Sequence, residues 1–319
     1  MKTNKLPELC FEMAGRFKLE KFKVDENGNE IQGSRTVAAD WFNNLITNNG
    51  LNMVGNVSGD FMLYCQVGSG SATPTVTDTG LQSRIGASST EQARVVGTNN
   101  TVSPYYGYRR KTYRFAAGTA TGNVSELGIS PASTGAVFSR ALVLDGGGSP
   151  TTITILSDEV LDVIYELRLY VPMNDATGSI TLSSEGSTHT WTFRALEVDG
   201  SGNTPWSSFR QAFDFAIVNQ NWQQNGIESG LQAITANGYA ATGTNATGTL
   251  VGSYVVGNYY RDVQIFFDLN QANFATGIGR VAICTNYGAY QYGFSPKIAK
   301  INTKKLTLVV RISWARKVL

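Results

Sequence analysis

Apolar and polar residues alternate at period two along most of this chain, and the alternation is cleanest over residues 151–171. From Val160 onward, Leu161, Val163, Tyr165, Leu167, Leu169 and Val171 share one parity, while Asp162, Glu166 and Arg168 take the other. Successive side chains of a strand point to opposite faces, so this pattern buries one face of an antiparallel sheet and leaves the other wet. A helix would scatter those charges around its circumference. Residues 151–156 and the run from Val160 therefore read as a hairpin closed by Ser157-Asp158-Glu159.

The same period recurs on both sides. Phe17 and Leu19 alternate with Arg16, Lys18 and Glu20, and Asn27-Gly28 inside the following polar stretch is a tight-turn signal with a return strand over 31–37. One helix is expected at 40–49, with Asp40 as cap, Trp41, Phe42, Leu45 and Ile46 as its apolar side, and Gly50 after its last turn. Asp78 reads as the cap of a single further helical turn carrying Leu81 and Ile85.

Beyond Pro172 the strand pattern runs a second time. Residues 109–115 correspond to 261–269, 124–129 to 279–283, 138–144 to 290–294, and 160–170 to the closing run, where Leu306, Leu308, Val310, Ile312 and Trp314 share a face. Residues 61–67 are matched to 191–198, and the Gly- and Thr-rich stretch 225–252 to a surface excursion. The expected architecture is all-β: two related antiparallel β-sandwich domains, 56–172 and 173–319, preceded by an N-terminal docking arm, 1–55, of hairpin and helix. An early hairpin has few sequence neighbours to cover it, so Phe17, Leu19, Trp41 and Phe42 are the candidate docking residues.

Composition supports this class and narrows the partners. Charged residues make up only 16% of the 319, and 34 glycines accompany them, as many turns between short strands require. A net charge of +2 supplies no field that would favour nucleic acid. Cys10, Cys65 and Cys284 are odd in number and far apart, which argues against a disulfide framework and for small buried side chains. No apolar run suits a signal peptide or a membrane span, so neither nucleic acid nor membrane insertion is expected.

Chemistry-bearing patterns are sparse. His189 has no second His or paired Cys at ligand spacing, and Gly68-Ser69-Gly70 and Gly277-Ile278-Gly279 lack the third glycine of a dinucleotide loop. Asp158, Glu159, Asp162 and Glu166 read as solvated hairpin charges in preference to a glycosidase pair. The sequence thus assigns no catalytic, cofactor-binding or metal residue, and no enzyme activity. Tyr105 to Phe115 interleaves aromatic and basic residues, which suits cross-strand packing first and a ligand platform second. Trp206, Trp222, Tyr287, Tyr290 and Tyr292 are the aromatic candidates for partner or receptor contact.

Two stretches carry a resemblance to a known family. Val37-Ala38-Ala39-Asp40-Trp41-Phe42-Asn43-Asn44-Leu45-Ile46-Thr47-Asn48-Asn49-Gly50-Leu51, followed by residues 64–79, resembles structural proteins of tailed bacteriophages, often labelled tail fibre or minor tail proteins. Phe138-Ser139-Arg140-Ala141-Leu142, 151–170 and 306–316 look like the same family. The resemblance implies a non-enzymatic virion component at the tail tip, baseplate or fibre attachment, folded in the host cytoplasm. It implies other phage structural proteins as partners, a homo-oligomer with three-fold symmetry preferred, and a host-surface receptor as a further partner. The alternatives are a receptor- or glycan-binding adhesin module and a capsid decoration protein.

Overall fold

The computed structural model describes residues 4–56, 60–99, 102–170, 172, 174–182, 186–196, 223–234, 236, 243–285 and 288–318. Its elements, in chain order, are β1 (Asn4–Lys5), β2 (Leu9–Lys23), β3 (Thr36–Asn43), β4 (Leu45–Ile46) and helix α1 (Asn48–Asn56). There follow β5 (Tyr64–Gly68), β6 (Arg84–Ser88), β7 (Glu91–Asn99), β8 (Tyr106–Phe115), β9 (Gly122–Val124), β10 (Glu126–Ser130), β11 (Ser139–Leu142), β12 (Ile153–Ile155) and β13 (Glu159–Tyr170). The second half supplies β14 (Ala176–Thr181), β15 (Thr188–Leu196), β16 (Gln223–Ile227), β17 (Thr244–Asn245), β18 (Thr247–Val251), β19 (Tyr260–Phe267), β20 (Ile278–Thr285), β21 (Gly288–Ile298) and β22 (Leu306–Arg316). The protein is all-β with one α-helix among the described residues, as the alternation requires.

One long sheet runs through both halves in the order β18-β19-β22-β2-β13-β8-β7, with β1 beside β22 and β3 beside β2. Its centre is β2, whose Leu9, Phe11, Met13, Phe17 and Leu19 are fully buried on one face. Register keeps every apolar stripe on that face: Phe17 lies opposite Tyr165 and Phe11 opposite Trp314, so Leu161 to Leu169 and Leu306 to Trp314 join the same surface. Two smaller sheets cover it side by side, β4-β11-β10-β5-β6 over the β13 half and β14-β15-β21-β20-β16-β17 over the β22 half. Ser139 of the first approaches the Tyr165 hydroxyl, and Tyr292 of the second donates its hydroxyl to the Pro7 carbonyl. The buried apolar side chains of both halves form one cluster.

The internal repeat is present as topology. The edge-to-centre order β7-β8-β13 on one side of β2 is answered by β18-β19-β22 on the other, and β4-β11-β10-β5-β6 is answered by β15-β21-β20-β16-β17. Even the register repeats: Leu161 pairs with Phe115 and Leu167 with Arg109, while Leu306 pairs with Phe267 and Ile312 with Arg261. One expected correspondence is corrected, because residues 61–67 match β16 in place and pairing, and β15, which carries the described part of 191–198, holds the position of β4. Part of the supposed excursion 225–252 is therefore strand, in β16, β17 and β18.

Four further expectations change. The Asn27-Gly28 turn forms, with Gly28 at φ +81°, but the return strand begins at Thr36, and β2 is interior to the sheet and not part of a free arm. The two strands 151–156 and 160–170 do not pair: β12 joins β9, while β13 lies between β2 and β8. Residues expected as helix at 40–49 are split, because Trp41 and Phe42 sit on opposite sides of β3, with Phe42 opposite Phe17. The helix starts later. Thr47 caps it, its hydroxyl oxygen accepting from Gly50 N at 2.9 Å. Gly50 lies inside α1 because a Cβ there would strike the Phe138 carbonyl. The turn after Asp78 likewise stays non-helical, and Ile85 belongs to β6.

Helix α1 joins the two halves. Gly50 abuts Phe138 of the first, the Leu51 carbonyl accepts from Trp314 Nε1 at 2.7 Å, and Asn52 Oδ1 accepts from the Tyr254 hydroxyl at 2.7 Å and Gly257 N at 2.8 Å. Because both sandwiches share β2 and α1, they should unfold together. Phe17→Ala, which empties a site between Phe42 and Tyr165, should cost about 3–5 kcal/mol and lower one cooperative thermal transition seen by calorimetry. Two transitions, with only the first-half one displaced, would contradict the shared core.

Candidate interface on the open face of the shared sheet

With both small sheets on one face of the long sheet, its other face is left to the polar parity of each strand. There Glu166 of β13 lies opposite Arg16 of β2 and Arg110 of β8. Its carboxylate accepts from Arg16 Nε at 2.9 Å, Arg168 Nε at 2.8 Å, and Arg110 Nε and Nη2 at 3.0 and 2.6 Å. The Glu166 side chain is 1% exposed and the arginines 24%, 33% and 16% for Arg16, Arg110 and Arg168, so the anion sits beneath its cations. Burial alone would raise the Glu166 pKa, but the hydrogen bonds from Arg16, Arg168 and Arg110 hold it below the ordinary glutamate value. Aromatic rings hold the guanidiniums: Arg16 and Arg110 lie 4.1 and 5.1 Å from the Trp41 ring centre, and Arg168 lies 4.4 Å from that of Tyr106.

A second cluster sits four residues away along each strand, back along β13 and forward along β8. Asp162 accepts a two-point contact from Arg114 at 2.8 and 2.7 Å and a third bond from Arg35 at 3.0 Å. Both guanidiniums stack on Phe22, and Arg35 also binds Glu30 at 2.6 Å. Those bonds to Glu30 and Asp162 raise the Arg35 pKa further, so it stays charged at any working pH. Across β2 the repeat carries the same device with its charges exchanged. Where β8 has Arg110 against Glu166, the equivalent positions hold Asp262 against Arg311, at 2.8 and 3.0 Å, with Arg311 3.5 Å from the Tyr260 ring centre.

The outward faces of the small sheets do something different, which is to anchor loops. Glu126, fully buried, accepts from the amides of Gly70, Gln82 and Ser83 and from Arg140, which also reaches Asp78 at 2.7 Å. Burial works to raise the Asp78 pKa, and the bonds from Thr75 and Arg140 outweigh it. In the second half Arg280 and Gln291 hold residues 230–232 from the matching strands. These loops are tied down by buried charge and amide groups.

Of the four expected docking residues, Phe17, Leu19 and Phe42 are core, and Trp41 lies on the open face. Among the aromatic contact candidates, Tyr290 and Tyr292 are fully buried against Phe193, which corrects their expected exposure, because β21 is covered by the long sheet. Trp206, Trp222 and Tyr287 lie outside the described residues. Asp162 and Glu166 are not solvated hairpin charges but covered, paired anions, and Cys10 is exposed on the open face while Cys65 is buried. His189 is buried, with Nδ1 2.7 Å from the Pro296 carbonyl and Nε2 3.0 Å from the Ser187 hydroxyl, a strand-anchoring role. Arg16, Arg110 and Arg168 were missed as a group. The available signal was the matched four-residue spacing of Arg110 with Arg114 and of Glu166 with Asp162, which an antiparallel register brings face to face.

The Glu166 cluster makes stability depend on pH. A carboxyl whose folded pKa is depressed contributes stability that is complete above its unfolded value, near 4.5, and is lost as pH falls through the folded value. Glu166→Gln should cost about 2–3 kcal/mol at pH 7, and urea melts should show the gap to the parent closing as pH drops below about 4. A gap that stays constant from pH 7 to pH 3 would contradict this origin.

No protein-family model matches the chain, and no curated protein and no solved structure matches it either.

Proposed function

We propose that the chain is a non-enzymatic structural subunit of a tailed bacteriophage particle, placed at the tail tip, baseplate or fibre attachment, where it works by contact with neighbouring subunits. The observation that carries this reading is the division of labour on the long sheet. One face is consumed by two sandwiches on a shared core, and the opposite face is set with arginine, tyrosine and tryptophan, the residues enriched where proteins bind proteins. Charges held in fixed ion-pair clusters on a rigid sheet suit a contact surface that must keep its shape through assembly. The resemblance of residues 37–51 and 64–79 to tail structural proteins supplies the setting, and copies arranged about a three-fold axis would present this face to other virion proteins. The adhesin alternative is weakened by the burial of Tyr290 and Tyr292, two of the aromatics on which it rested.

Cryo-electron microscopy of the parent particle tests the placement. Density fitting this double sandwich in the tail, with the Trp41 face against another chain, is the expected result. Density on the capsid alone, or a tail position with that face turned to solvent, would overturn it.

A further inference from the structure

Among the described residues, the open face is nearly balanced in charge except at one place. Lys18 pairs with Glu20 at 2.9 Å, Lys317 with Glu12 at 2.7 Å, and Arg114 and Arg35 divide Asp162 and Glu30 between them. At Glu166 three guanidiniums share a single carboxylate, which leaves two positive charges in excess. Glu166 takes one N–H from Arg16, one from Arg168 and two from Arg110, out of about five that each guanidinium offers. The three side chains remain partly open to solvent.

We infer that this three-arginine cluster, framed by Trp41, Tyr106 and Tyr108, is the docking point for an acidic protein segment, a strand or loop presenting Asp or Glu side chains. Carboxylate is the ligand whose geometry matches a guanidinium fork at two points, as Arg114 demonstrates on Asp162 in the neighbouring cluster of the same face. The stacking on Trp41 and Tyr106, together with the anchor from below, fixes the arginine planes before the partner arrives, so little side-chain entropy is lost on binding. A sugar is a poorer occupant because the Trp41 and Tyr106 rings already carry guanidiniums against them. Nucleic acid is poorer too, since phosphate tracking needs a basic stripe and the flanking cations here are paired off. The inference rests on the reading of the chain as an assembly subunit, and names the chemistry of its partner.

The test uses the full chain and a fluorescein-labelled octaglutamate peptide, with octalysine as control, followed by anisotropy at two salt concentrations. Two variants address the cluster without a common risk. Arg110→Gln removes a cation, and Val95→Glu places a carboxylate beside Arg110 from its exposed partner position on β7. Lys305→Gln, paired with Asp268 in the second half, serves as the charge-matched control. Expected are binding of octaglutamate but not octalysine, weakening with salt, a loss of tenfold or more in both cluster variants, and no change in Lys305→Gln. Equal affinity in all three variants, or no binding by the parent chain, would overturn the proposal. Self-association abolished by Val95→Glu without octaglutamate binding would overturn it in favour of a second copy. A particle map that places the chain in the tail, combined with failed peptide binding, would remove this inference and leave the assembly reading standing.

Discussion

The apolar stripe of β2 is the constraint from which the rest follows. Leu9, Phe11, Met13, Phe17 and Leu19 lie on one side of a single fifteen-residue strand, and its two ends serve different sandwiches. The first stretch runs parallel to β22, the second antiparallel to β13. Moving the register of β2 by one residue would turn the whole stripe to the wrong face in both halves at once. A core shared in this way removes the freedom of the two halves to open separately, and α1, wedged between Phe138 and Trp314, closes the remaining gap.

Placing both small sheets on one face has a second consequence. It leaves a broad sheet surface that no part of the described chain covers with another sheet, and the polar parity must satisfy itself laterally. It does so through ion pairs between adjacent strands, Glu166 with Arg16 and Arg110, Asp162 with Arg114, Asp262 with Arg311. The repeat keeps the position of the Arg110–Glu166 pair and exchanges its signs in Asp262–Arg311, while the positions equivalent to Arg114 and Asp162 hold Phe266 and Thr307. Cross-strand pairing thus constrains the presence of opposite charges more than which strand carries which, while the buried positions on the core face stay apolar or aromatic. Excess charge at Glu166 departs from this balance, and it coincides with the densest group of aromatic rings on the face.

Much of this was legible beforehand because alternation reports which face is buried. Leu161 to Leu169 and Leu306 to Trp314 are buried as their parity demands, and the register equivalence of residues 109–115 with 261–269 is real. Pairing partners were not legible. Adjacent runs 151–156 and 160–170 look like a hairpin, yet β2, more than a hundred residues away, competes successfully for the edge of β13 because it matches twelve consecutive positions. The helix was misplaced because Trp41, Phe42, Leu45 and Ile46 satisfy a helical stripe, whereas β2 imposes extension as far as Asn43 and Thr47 supplies the cap. At the open face, single residues were visible as solvated charge. Their grouping depended on register between strands distant in sequence, which no local window contains.

Native-state hydrogen exchange on the amides of β2 tests the shared-strand account most directly. The account predicts that amides paired with β22 and those paired with β13 open with the same free energy, equal to that of global unfolding, and respond identically to urea. Exchange of the β22-facing amides through a separate, lower-energy opening that leaves the β13-facing amides protected would contradict it.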